Sequence, residues 1–297
     1  MGRLEIDEYH ARIIWNILLP RGGFVVLYQA YADASEAKNP GIPKEERILS
    51  VANFIFSKDK AECLNNEWAH ILEPVLRNEP PEKRFFHMHH FYTHKPPYHR
   101  LSDGEHLALQ RDLIDSAHKN TEFGVVGSVQ LSEYDRVVDP RTREVMGGPF
   151  TMCNLWCMDS LCDYLKSKDL EGDIAYAFED GDSDKLELDG FLSKIAASNY
   201  LRRKYRYAGR SFMFKHQHHA LGAADMLAWE YRNGVELYFK NPDAPQREFV
   251  HVLFKKQIGA RHFSPIDLGF RTMGQMIERA NRWAAERQEA ADTQSMQ

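Results

Sequence analysis

A mixed α/β domain is what this sequence predicts, on three observations. Short apolar runs rich in β-branched and aromatic residues alternate with longer segments of helical periodicity. The first two apolar runs follow one another across a modest loop, which calls for an antiparallel start rather than a uniformly parallel sheet. No internal repeat or long low-complexity linker divides the chain, so one domain is expected. At 297 residues, with 43% hydrophobic and 27% charged content, the composition is that of an ordinary globular protein able to bury a large core. We read residues 1–285 as that domain, with insertions, and the polar residues 286–297 as a disordered tail.

"FVVLYQAYA" reads as a buried strand and "RILSVANFIFS" repeats the signal after a loop with Pro40, Gly41 and Pro43. "KDKAECLNNEWAHILEPVL" reads as a helix with Cys63, Leu64, Trp68, Ile71 and Leu72 on one face. "FFHMHHFYTHKPPYH" reads as a short strand entering a loop rich in histidine and proline. Ser102, followed three residues later by Glu105, opens a helix with a capping box. "FGVVGSVQL" is a strand, "DPRTREVMGG" a turn-rich excursion, and "FTMCNLWCMDSLCDYLKSK" a helix with Met152, Leu155, Trp156, Cys162 and Leu165 in a stripe. "DIAYAFEDGD" and "AGRSFMFKH" read as strands, "LELDGFLSKIAA" and "ALGAADMLAWEYRNGVELYF" as helices. Periodicity leaves "EFVHVLFKK" open between strand and helix, and "GFRTMGQMIERANRWAAER" reads as the last helix.

Composition narrows the function classes. A net charge of −5 gives no global attraction to nucleic acid or anionic membrane, so such a surface has to be local. Cys63, Cys153, Cys157 and Cys162 contain no C-x-x-C pair, which suits reduced and mostly buried thiols better than disulfides or a zinc knuckle. The N-terminal apolar run is too short and interrupted for a signal peptide, and no stretch nears the roughly 18 apolar residues of a spanning helix, so cytoplasm is expected.

Acids recur at the ends of elements. Asp33 and Glu36 close the first strand, Glu179, Asp180 and Asp182 close "IAYAFEDGD", and Asp225 sits beside Ala220, Ala223, Ala224 and Ala228 in a helix. Small residues let a helix lie close to a sheet and bring Asp225 toward the strand ends. Two carboxylates 4 Å apart repel by roughly 4 kcal/mol at an effective dielectric near 20, so convergence would call for a cation. All-oxygen ligation favours Mg²⁺ or Mn²⁺ over zinc. The plain alternatives are turns solvated by Asp33, Glu36 and the Asp-Gly dipeptide, and an exposed Asp225 or one paired with Arg232.

The segments "YADASE", "ILSVANFIFS", "EWAHIL", "FEDGD" and "AADMLAWE", spanning about Val25 to Tyr231, together resemble the domain-of-unknown-function 3800 family, itself similar to ribonuclease-H-like proteins. The resemblance implies a ribonuclease-H-like mixed sheet with helices on both faces. It implies a divalent-metal-dependent nuclease cleaving phosphodiester bonds of RNA or DNA, with Asp33 as first-strand ligand, Glu179 as mid-sheet acid and Asp225 as helix acid. Ser35 occupies the family's serine position. Glu36, Asp180 and Asp182 would assist, Glu36 in catalysis and the two aspartates at the metal. The chain departs from the family at Ala34, where a second acid is frequent, and at Gly222, where glutamine is frequent. These departures motivate the rival expectation, a catalytically silent module that binds nucleic acid, a protein partner or a second copy.

Between Gly190 and Ala224 there is no acidic residue, while Arg202, Arg203, Lys204, Arg206, Arg210 and Lys215 interleave with Tyr200, Tyr205 and Tyr207. Such a stretch can bind phosphates and stack unpaired bases, or form a solvated face or a dock for an acidic partner. The cluster His87, His89, His90, His94 and His99 has two prolines and no H-E-x-x-H, which argues against a separate zinc site. His89 and His216 are the imidazoles assigned to proton donation or phosphate contact, against the plainer reading of exposed or half-buried rings.

Overall fold

The computed structural model describes residues 27–36, 43, 47–181, 184–241, 258–264 and 269–271. Its organising element is strand β1 (Leu27–Glu36), which is paired on both sides. On one side lies β2 (Ile48–Ser57), antiparallel to β1, followed by β3 (Phe123–Gln130), antiparallel to β2. On the other lies β4 (Asp173–Glu179), parallel to β1, and then β5 (Tyr207–Met213), parallel to β4. Beyond β3 come β6 (Ile258–Ser264), parallel to β3, and β7 (Gly269–Arg271), antiparallel to β6. The described residues thus form a seven-stranded mixed sheet in the order β5-β4-β1-β2-β3-β6-β7.

Parallel neighbours need crossover connections, and helices supply them on both faces. One face is covered by α1 (Lys58–Leu76), α3 (Asp103–Asn120) and α9 (His219–Lys240), which close over Phe54, Phe56 and Val126 with Trp68, Leu113 and Met226. The other is covered by α6 (Pro149–Ser167) and α7 (Lys185–Ala197), which bury Val51, Ile55 and Tyr176 with Cys157, Leu161 and Leu192; the short α8 (Asn199–Lys204) follows α7. Because β2 is sandwiched between two layers, nine of its ten residues are buried, which is why it reads as a continuous apolar run rather than an alternation. Among the described residues, no helix is long and apolar enough to cross a membrane.

The capping box at Ser102 and Glu105 is formed in full. Other local expectations are corrected. "FFHMHHFYTHKPPYH" contains no strand; it forms the short helix α2 (Met88–Tyr92) and a 3₁₀ turn, Tyr98–Arg100. The apparent turn region holds two short helices, α4 (Leu131–Val137) and α5 (Pro140–Met146), the second capped by Asp139 with Pro140 at its first position. Cys63 is exposed instead of facing the core, whereas Cys153, Cys157 and Cys162 are buried free thiols. The start of the predicted last helix is strand β7. "EFVHVLFKK", the rest of that last segment and the tail lie outside the described residues.

Candidate functional site

Strand alternation decides which β1 side chains meet α9. Tyr31 belongs to the core under α9 while Ala30 and Ala32 belong to the opposite core, so Asp33 faces α9 and Ala34 does not. Asp33 lies inside the strand, opposite Ala52, and is 2% exposed. The parallel register Ala32↔Phe178 puts Glu179, the last residue of β4, beside it. Met213 is in turn opposite Glu179, so the chain leaving β5 passes the same point and carries Lys215 there two residues later. From above, the fully buried Ala220, Ala223, Ala224 and Ala228 let α9 approach β1 and β2 and lower Asp225 onto the strands.

These four side chains meet at one nitrogen. Lys215 Nζ lies 2.7 Å from Asp33 Oδ2, 3.2 Å from Asp225 Oδ2 and 3.3 Å from Glu179 Oε2. Asp225 Oδ2 also accepts from the Met88 backbone N–H at 2.9 Å and lies 3.1 Å from His87 Nδ1. The histidine segment is pinned from below by Phe86, Phe91 and Tyr98, whose rings pack at 5.3–6.1 Å. Gly222 makes that docking possible: a Cβ there would stand 3.0 Å from the Trp68 ring and 3.3 Å from Phe86 Cβ. The glycine at this departure position therefore has a packing reason, close contact between α9 and the Phe86 backbone.

Burial and charge set the protonation of the cluster. Burial, reinforced by the neighbouring Asp225 and Glu179, raises Asp33 well above the usual carboxylate range despite Lys215. Burial also works against an ionised Asp225, but the Lys215 ammonium and His87, with the Met88 N–H, outweigh it and hold this carboxyl low. Desolvation opposes the charged form of Lys215 too, and the three acids overcome it, so the lysine stays protonated. Burial and its acidic neighbours thus push Asp33 toward its neutral form, while the ammonium, imidazole and backbone N–H favour the charged form of Asp225.

The other expected residues are dispersed. Glu36 lies three residues beyond Asp33 and pairs with Arg47 at 3.9 Å. Asp180 accepts from Lys185, and Asp182 lies outside the described residues. The interval Arg202–Lys215 does not present one positive surface, because acids distant in sequence reach into it. Lys204 pairs with Asp159 at 3.1 Å, Arg210 with Asp189 at 2.5 Å, and Arg206 binds the carbonyl of Leu170. Arg202 and Arg203 are exposed, whereas Lys215 is buried among the acids. His89 Nε2 lies 3.1 Å from Lys95 Nζ, and His216 stacks on Phe214 at 5.6 Å. The imidazole against the acids is His87.

Sequence reasoning missed Lys215 and His87 as members of the site. A lysine in a basic run looks like its neighbours until the order β1-β4-β5 is known. His87 was visible only as one of several, although the flanking Phe86 and Met88 mark it as the polar position between two buried ones.

The donor set, three carboxylate oxygens around one cationic centre, has the chemistry that a hard divalent ion takes. The spacing is that of ammonium contacts, longer than the roughly 2.0–2.2 Å of Mg²⁺–oxygen bonds. Among the described residues no group of three or more His, Cys, Asp or Glu side chains is arranged to hold a metal ion directly. An ion would therefore require the ammonium to withdraw and the carboxylates to close in. Comparison of the chain with protein-family models, with curated proteins and with solved structures finds no match in any of the three.

Proposed function

We propose that the protein is a ribonuclease-H-like, divalent-metal-dependent phosphodiesterase acting on nucleic acid. The observation that carries this reading is the convergence of Asp33, Glu179 and Asp225, from a central strand, its parallel neighbour and a late helix, within 3.3 Å of one nitrogen. The mixed sheet, with β2 antiparallel to β1 on one side and β4 parallel to it on the other, supports it as well. Asp33, Glu179 and Asp225 would hold Mg²⁺ or Mn²⁺, and the ion supplies activation of a water and stabilisation of the leaving oxygen. Arg202 and Arg203 meet backbone phosphates as exposed charges. His87, held through Nδ1 by Asp225, takes the phosphate contact expected of His89 or His216.

The test is incubation with RNA, single-stranded DNA and duplex DNA in Mg²⁺ or Mn²⁺. Metal-dependent cleavage that is lost in Asp33→Asn and Asp225→Asn is the expected result. Cleavage that survives either substitution removes that acid from the mechanism.

A specific observation favours a second reading: Lys215 already neutralises the acids, which suits a silent module that binds nucleic acid or a protein partner through the same fold. Mn²⁺ titration of thermal stability separates the two. Stabilisation abolished by Asp33→Asn supports the enzyme, and none supports the module.

A further inference from the structure

We infer that Lys215 occupies the cation position of this site, so that a divalent ion enters only by exchange with its ammonium. The inference rests on the metal-dependent reading above and adds what opposes the metal. The Lys215 side chain is only 5% exposed, and its Nζ is the single centre that all three carboxylates share. Two cations cannot occupy that centre together, since like charges at such separations repel by several kcal/mol in a partly buried setting. Replacing the ammonium by a divalent ion adds positive charge to an acidic pocket, which supplies the driving force.

The chain around Lys215 permits the exchange. Lys215 belongs to neither β5 nor α9 but to the turn between them, closed by the Gln217 N–H donating to the Phe214 carbonyl at 3.0 Å. The side chain is an unbranched stem ending in a compact charge, and it can swing without breaking a sheet or helix hydrogen bond. Its neighbours Phe214 and His216 form a stacked pair, with Phe214 48% exposed, so the turn already borders solvent. An ammonium released there stays within one side-chain length of the pocket, where an anionic substrate group would meet it.

Calorimetric titration with Mn²⁺ alone tests the exchange in the wild type, Lys215→Met, Asp33→Asn and the double variant. The expected result is Mn²⁺ affinity at least about ten-fold higher in Lys215→Met than in the wild type, given the lost charge repulsion. The gain should vanish when Asp33→Asn is added. Equal affinity in wild type and Lys215→Met, with both lost on Asp33→Asn, overturns the exchange and leaves the metal pocket standing. Absence of Mn²⁺ binding in both overturns the metal pocket and the exchange together. Should Lys215→Met not fold, acetic anhydride labelling of the folded wild type reads the same event by mass spectrometry. Lys215 should be protected without metal and acetylated several-fold faster in saturating Mn²⁺; protection unchanged by Mn²⁺ overturns the inference.

Discussion

Asp33 and Asp225 touch the same lysine, yet their surroundings shift them in opposite directions, for reasons visible atom by atom. Asp33 is desolvated beside two other acids, which raises its pKa even with the Lys215 ammonium against it. Asp225 collects an ammonium, an imidazole and a backbone N–H on one oxygen, so it is ionised. Asparagine mimics a protonated carboxyl and cannot replace an ionised one. Asp33→Asn should therefore cost less stability than Asp225→Asn, which should cost about 3–5 kcal/mol, the usual loss when a buried ion pair is broken. Urea unfolding of the two variants checks this, and equal losses would contradict the opposite shifts. Ala34 lies on the other face of β1 from Asp33. It is packed against the core opposite α9, so the missing second acid leaves no gap in the pocket facing Lys215.

Among the elements, α1 and α3 were legible because their apolar period and, for α3, its capping box are local properties. The segment around His87 was not, because alternation over so few residues fits a strand or a short helix equally well. In α5, the Pro and Gly density suggested a turn, although Asp139 before Pro140 is also a helix start signal. Packing between elements explains Gly222, where a Cβ would stand 3.0 Å from Trp68 and 3.3 Å from Phe86 and any side chain would have to push these residues aside. Gly222→Gln, the residue frequent in the resembled family, should destabilise the protein by about 3 kcal/mol, the upper end of overpacking costs. A urea midpoint at or above wild type would show that the α9 contact can yield. Ser102→Ala should cost about 1 kcal/mol through the lost cap at α3, measurable in the same way.

For the whole molecule, buried imidazoles couple folding to pH. His262 sits in β6 with Nδ1 2.8 Å from Ser128 Oγ, and burial lowers its pKa from 6.5 to about 4. Burial, with the nearby His218, lowers His219 to about 4 as well. A depressed histidine stays neutral in the fold but takes up a proton once unfolded. Its stabilising contribution is therefore complete above pH 6.5 and lost as pH falls from there toward about 4. His262 alone can account for about 3 kcal/mol across that window. Thermal melts from pH 7 to pH 4 should show the loss, and His262→Gln should flatten the curve; an unchanged slope would place the effect elsewhere.

By itself, the sequence determined the α/β class, the antiparallel opening pair, most long elements and the acids worth watching. These rest on periodicity, caps and residue type, which act over a few neighbouring residues. Only the tertiary structure decided that Asp33, Glu179 and Asp225 share one centre, that Lys215 fills it, and that Lys204 and Arg210 of the basic stretch are answered by distant acids. Strand order and the approach of α9 set those meetings. They depend on which surfaces pack against each other across more than a hundred residues, and local pattern carries no record of that.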